Sequence, residues 1–279
     1  MNLHYLHGAF CREKREVFSV NEIVSFKEVS FSKGDKVILQ AINWSVHQNE
    51  HWGILGLNGS GKTSLLTIMS GFHFPSTGEV SVLGNFFGKT NLPELRKEIG
   101  FVSSSLERFA EYFNNETIER VVVSGKFASF GIYEQVKKEE WEKADSLLES
   151  LQLTYLKGKP YRLLSEGEKR KVIIARALMS EPKMLVLDEP CSGLDILSRE
   201  RFLQSLDGIM KDECHIVYVT HHIEELVQGI SHVLLLKDGK VIAAGPKEQV
   251  VSDELLSDTF GIPVHVHWKE SRPWLEIRS

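Results

Sequence analysis

The segment Gly56-Leu57-Asn58-Gly59-Ser60-Gly61-Lys62-Thr63 sets three glycines ahead of a lysine and a hydroxyl. Glycines let a loop turn its backbone N–H groups inward, and a helix that starts there adds a positive dipole; together they suit a phosphate group. Lys62 would reach the β- and γ-phosphate oxygens, and the Thr63 hydroxyl would ligate Mg²⁺. Ser64 closes the stretch, so Gly56, Leu57, Asn58, Gly59, Ser60, Gly61, Lys62, Thr63 and Ser64 are the candidate nucleotide contacts. A Gly-rich turn that merely caps a helix would look similar. The flanks here, a strand before and a helix after, are those the phosphate reading requires.

A second group lies in Met184-Leu-Val-Leu-Asp-Glu-Pro190, where two carboxylates follow a short apolar run. The carboxyl ends of strands are where α/β folds hold ligands. Asp188 would hold Mg²⁺ through water, and Glu189 would polarise the water that attacks the γ-phosphate. Taken alone, the pair could be a solvated strand end that happens to be acidic.

These groups need elements to position them. Apolar alternation predicts strands at Val24–Phe31 and Val37–Val46 around a Lys-Gly-Asp turn, with Val29 and Phe31 on one face and Phe26 on the other. Further strands are expected at Trp52–Leu57, Gly78–Leu83 and Ile99–Ser103, with a helix from Lys62 to Ser70. Between about 106 and 165 the chain turns charged and helix-periodic, as in Val136–Leu151. After that, helices at 166–180, 196–210 and 222–228 alternate with strands at 183–187, 215–219 and 232–236, which predicts a mainly parallel sheet. Lys237-Asp-Gly-Lys240 reads as a hairpin turn into Val241–Ala244.

Leu164-Ser-Glu-Gly-Glu168 precedes a basic and aliphatic stretch that ends in Ile174-Ala-Arg-Ala-Leu178. With the phosphate loop before it and the acidic pair after it, the sequence resembles the ATP-binding domain of the ABC ATPase and ABC transporter family over nearly all of residues 24–250. The resemblance implies an α/β fold, with a P-loop NTPase (RecA-like) core, an N-terminal antiparallel β-subdomain and an inserted helical subdomain. It implies a domain over 23–255 with the helical part at about 106–180; residues 1–22, which show no clear periodicity, read as a loose extension, and 256–279 as a tail folded on the domain. It also implies that Ser165 and Gly167 bind the γ-phosphate of ATP held by a second copy of the chain. Ser165 and Glu168 also form a capping box, and a capped helix end remains an anion site. Ser192-Gly-Leu-Asp195 resembles the loop that crosses the dimer interface, and His221 matches the switch histidine that contacts the γ-phosphate.

The sequence departs from the family pattern in several places. Glu166 and Glu168 stand for the usual Gly and Gln and put negative charge near the triphosphate. Ser104 occupies the position of a metal-sensing Gln, and no Gln occurs between Gln48 and Gln135. Its hydroxyl could bond a metal-bound water over a shorter reach. Lys33 stands where many members stack adenine on an aromatic side chain, while Phe31 reads as core. His265 and His267 could share one face of a strand, but no third ligand is nearby, and a structural role is preferred. Trp268, Pro273 and Trp274 suggest a tail that packs back on the domain.

Composition narrows the classes. The chain has 279 residues, 33 bases against 38 acids and a net charge of −5, which argues against a nucleic-acid partner. Its apolar runs stop at four residues, as in Val233–Leu236, far short of the roughly 20 a membrane crossing needs. Three scattered cysteines, Cys11, Cys191 and Cys214, fit a reducing compartment. The expectation is a cytoplasmic protein, or one peripheral on the inner face of the cell membrane. With one phosphate loop and one signature per chain, two copies would close around two Mg-ATP and drive separate membrane permease subunits. The alternatives are a soluble ABC ATPase acting on another assembly and a nucleotide-binding regulatory module without turnover.

Overall fold

The computed structural model describes residues 22–103, 112–127, 136–210 and 214–278. Two long strands, β1 (Glu22–Lys33) and β2 (Lys36–His47), pair antiparallel around a turn at Gly34-Asp35. β3 (Trp52–Leu55) leads through the glycine loop into α1 (Lys62–Met69). Then come β4 (Thr77–Val82) and β5 (Asn85–Phe86), α2 (Leu92–Lys97) and β6 (Ile99–Ser103). Three helices follow: α3 (Ile118–Ser124), α4 (Lys138–Ser150) and α5 (Glu166–Leu178). The chain continues through β7 (Met184–Asp188), α6 (Ile196–Ile209), β8 (His215–Thr220) and the hairpin of β9 (His232–Lys237) and β10 (Lys240–Pro246). It ends with α7 (Lys247–Val250), α8 (Asp253–Phe260) and a second hairpin, β11 (Val264–Lys269) and β12 (Arg272–Ile277).

The main sheet has the order β10-β9-β3-β8-β7-β6, parallel except for the β9–β10 hairpin, and a smaller antiparallel sheet runs β2-β1-β4-β5. Strands buried on both faces need apolar residues at every position, which is why the runs of four exist. Val186, Val217, Val219, Leu234 and Leu236 pack toward α1 and the antiparallel sheet. Their neighbours Leu185, Leu187, Ile216, Tyr218, Val233 and Leu235 pack toward the helical side. The period of two thus divides one sheet between two cores. On the helical side α3 and α5 touch so closely that a Cβ on Gly125 would lie 1.9 Å from the Arg176 carbonyl.

Two local expectations need correcting. Phe26 and Val29 both face the core, because β1 carries an irregularity between them, with Glu28 at φ 51°. An extra residue in a strand flips the alternation, and period-two counting cannot see it. In place of a helix at 222–228 there is one 3₁₀ turn, Ile223–Glu225. The Glu224 carbonyl, which a helix would pair with an N–H four residues on, instead accepts from Arg272 Nε.

Candidate functional site

Because β3, β7 and β8 run parallel, their carboxyl ends open on one edge of the sheet. The glycine loop leaves β3, Asp188 and Glu189 leave β7, and Thr220 and His221 leave β8. Gly56 packs against β9 so tightly that a Cβ would meet the Leu236 carbonyl at 2.2 Å. Gly61 has φ 108°, a left-handed conformation that feeds the chain into α1. Lys62 begins that helix, and its Nζ folds back to donate to the carbonyls of Gly56 at 2.8 Å and Leu57 at 3.2 Å.

Lys62 Nζ also stands 3.6 Å from Glu189 Oε1, and the same oxygen lies 3.4 Å from His221 Nδ1. The lysine is buried, and burial holds its pKa below the ordinary value although both Glu189 and Asp188 pull it upward. Glu189 leaves its strand at φ 49°, pinned by its N–H on the Val219 carbonyl at 2.9 Å. That backbone strain aims the side chain at Lys62 and His221 rather than along the sheet.

Asp188 is buried beside this group, and burial raises its carboxyl above the ordinary range, against the pull of Ser103 and Lys62. Ser103 Oγ donates to Asp188 Oδ2 at 3.1 Å, an interaction made possible by the register Ser103↔Asp188 between β6 and β7. The sequence pattern points to Ser104, which lies outside the described residues, and not to its neighbour Ser103. The available signal was the serine run Ser103–Ser105 at a strand end, which gains meaning only once β6 and β7 are known to be adjacent.

The exposed Thr63 hydroxyl and the Asp188 carboxylate are hard oxygen donors at the mouth of this site. Among the described residues no three His, Cys, Asp or Glu side chains gather as a metal cage. Hard oxygen donors of this kind, with the remaining positions open to water and phosphate oxygens, suit Mg²⁺.

A second cluster forms at the head of α5. Ser165 caps the helix, accepting from the Glu168 N–H at 3.4 Å. Its own N–H and hydroxyl donate to Glu168 Oε2 at 2.7 and 2.8 Å. The Tyr155 hydroxyl donates to Glu168 Oε1 at 2.5 Å, which raises the tyrosine pKa to about 12. Burial pushes the Glu168 carboxyl up, yet the bonds from Tyr155 and Ser165 outweigh it and hold the group below the ordinary range. Gly167 packs on the first turn of α6, where a Cβ would sit 3.2 Å from Ser198 Cβ. Asp195 caps α6, accepting from the Ser198 N–H at 2.9 Å. Ser165, Gly167, Lys171, Ser198 and Arg201 line a cavity of about 450 Å³. Glu166 is drawn to Lys169 at 2.8 Å.

The structure therefore brings Lys62, Asp188, Glu189 and His221 into one group, and Ser165, Gly167 and Asp195 into another. Phe31 is partly buried and meets His73 edge-on at 5.7 Å, while Lys33 is exposed at the end of β1. His265 bonds Asp253 at 2.7 Å and His267 bonds Glu276 at 2.6 Å, so each imidazole holds a carboxylate.

The profile of a family described as ABC transporter matches residues 39–192. The chain is 42% identical over 256 residues to an uncharacterised ABC transporter ATP-binding protein, YlmA, of Bacillus subtilis, spanning 91% of this chain and 96% of that one. Its structure superposes on cbiO1 of Clostridium perfringens, part of an ABC transporter complex, with a TM-score of 0.74 and 27% identity over 85% of this chain and 94% of that chain. A bacterial ABC transporter cassette solved as a dimer gives a TM-score of 0.65 and 26% identity, over 80% of this chain and 98% of that chain.

Proposed function

Since the chain belongs to the ABC transporter ATP-binding family, whose domain binds ATP, we propose that it hydrolyses ATP and drives a transporter through separate membrane subunits. The observation that carries this reading is the meeting of Lys62, Glu189 and His221 around a single carboxylate oxygen, with contacts of 3.6 and 3.4 Å. A carboxylate held between a cation and an imidazole at a phosphate loop can orient a water for in-line attack. The backbone N–H groups of Gly59–Thr63 would cradle the triphosphate. Lys62 would leave its loop carbonyls for phosphate oxygens, and His221 would hold the γ-phosphate. Thr63 and Asp188 would hold Mg²⁺, which when bound neutralises charge on the β- and γ-phosphates.

Each chain has one phosphate loop and one signature end, so a complete site takes the phosphate loop of one copy and Ser165 and Gly167 of the other. The solved dimer of a related cassette supports such pairing. The exposed Phe72 and Phe74, with Phe72 edge-on to Phe101 of β6 at 5.9 Å, offer an apolar face for a membrane subunit beside the strand that leads to Ser104. Among the described residues no helix is long and apolar enough to cross a membrane, so that subunit would be another chain. We place the protein in the cytoplasm, against the inner face of the membrane. The lack of a Gln near Ser104 favours a second reading, an ATPase that works on another assembly without a permease. Phosphate release by the wild type, compared with Lys62→Ala, tests the enzyme. Recovery of an integral membrane protein with the chain from native membranes supports transport, and recovery only in the aqueous fraction would sink it.

A further inference from the structure

The 3₁₀ turn Ile223–Glu225, directly after His221 and His222, is held from two sides. On the inner side the Glu225 carboxylate is only 3% exposed and accepts from Tyr218 Oη at 2.9 Å and from Thr220 Oγ1 at 2.7 Å. Thr220 Oγ1 in turn accepts from the His222 N–H at 3.0 Å, so the histidine pair sits on a short chain of bonds that ends in a buried acid. The Tyr218 hydroxyl also contacts Cys191 Sγ at 3.4 Å, two residues beyond Glu189.

On the outer side the turn is held by β12. Arg272 Nε donates to the Glu224 carbonyl, while Nη1 and Nη2 form a fork on the Glu200 carboxylate at 2.6 and 2.9 Å. Arg199 extends the network, 3.3 Å from Glu224 and 3.6 Å from Glu200. The Arg272 guanidinium is 17% exposed and lies over the Trp274 ring at 4.9 Å. Lys247 Nζ fixes the same hairpin from below, donating to the carbonyls of Val227 and Ser271, each at 3.0 Å. A planar fork in a partly desolvated setting holds two elements at a set distance more firmly than a single surface ion pair can.

We propose that Arg272, in the carboxy-terminal hairpin outside the matched family region, is a positioning residue for ATP hydrolysis. It ties the turn after His221 to α6, the helix that follows Asp195, and so keeps His221 aligned on Glu189. By occupying the Glu224 carbonyl it also stops this turn from winding into the helix that its sequence would otherwise favour. Arg272 has no bond to the phosphate loop, which would supply most of the triphosphate contacts, so its loss should lower kcat far more than it weakens ATP capture. The inference rests on the proposed ATPase reading.

The test is steady-state phosphate release by the full-length chain with Mg-ATP. The variants are Arg272→Ala, Arg272→Lys, Glu200→Gln and the double Arg272→Ala/Glu200→Gln, with wild type and Lys62→Ala alongside. We expect Arg272→Ala to lower kcat about tenfold, as a modest misplacement of a catalytic group does, with KM for ATP within about twofold. Lysine should restore part of kcat, and the double variant should be no slower than Arg272→Ala, since both changes break one fork. An unchanged kcat in folded Arg272→Ala, or kcat and KM shifting together, would overturn the role. If Arg272→Ala does not fold, Arg272→Lys and Glu200→Gln decide it: lower kcat at constant KM supports it, and wild-type kcat in both overturns it. Wild-type release no greater than that of Lys62→Ala defeats the ATPase reading, and this inference with it.

Discussion

The hydroxyl of Ser103 donates to the carboxylate of Asp188 at 3.1 Å, linking the ends of two adjacent parallel strands. Asp188 is buried and its carboxyl is pushed up by that burial, and the bond from Ser103 works against the rise. Hydrogen bonds to charged groups contribute about 1.5–3 kcal/mol. Ser103→Ala should therefore destabilise the chain by roughly that amount in urea. An unchanged urea curve would show that the bond does not matter.

Gly61 enters α1 at φ 108°, and a Cβ there would stand 2.7 Å from Leu39 Cδ2. Gly61→Ala must either strain the loop or push β2 aside, at a cost of about 1–3 kcal/mol. Nucleotide titration should show loss of ATP binding, and urea melts should show the lower stability. Wild-type affinity in this variant would contradict the assignment of the loop.

His51 is bonded through both ring nitrogens. Nδ1 accepts from the Ile216 N–H at 3.1 Å, so Nε2 carries the proton and donates to the Met210 carbonyl at 3.0 Å. Burial lowers its pKa, against the pull of the Met210 carbonyl, and His215 adds to the lowering. A histidine depressed in the folded state contributes stability above its unfolded pKa, near 6.5, and that stability fades as pH falls through the lower native value. Melting temperature should start to drop below about pH 6.5, and His51→Gln should flatten that slope. Parallel slopes in the two proteins would rule out the linkage.

Glu168 carries charge at the signature end, where a partner's triphosphate would dock. Glu168→Gln keeps a carbonyl oxygen for the Ser165 donors, presents an NH2 that the Tyr155 hydroxyl can accept from, and removes the charge. In a Glu189→Gln background, the ATP concentration for half-maximal dimerisation should fall by about threefold, as expected for one partly screened charge. A rise would indicate that the carboxylate helps to orient Ser165 more than it repels ATP.

The sequence revealed most where ligating groups are contiguous. The phosphate loop and the Asp188–Glu189 pair are local texts, and the strand-helix alternation around them follows from buried strands being apolar throughout. What stayed hidden depends on contacts between distant segments. Ser103 acquires its role from the neighbouring strand β7. The alternation in β1 breaks at Glu28, where the backbone turns left-handed and the N–H donates to Asn43 Oδ1 of β2 at 3.0 Å. The turn after His221 fails to become a helix because Arg272, nearly fifty residues on, takes the Glu224 carbonyl. Each is a long-range substitution for a local rule, and no window of neighbouring residues contains it.

Sedimentation of the Glu189→Gln chain with and without Mg-ATP tests the two-chain site most directly. With attack on the γ-phosphate disabled and binding intact, ATP should convert the monomer to a dimer that persists, while Lys62→Ala in the same background should stay monomeric. A Glu189→Gln chain that remains a monomer at saturating ATP would contradict a site assembled from the phosphate loop of one copy and the signature of the other.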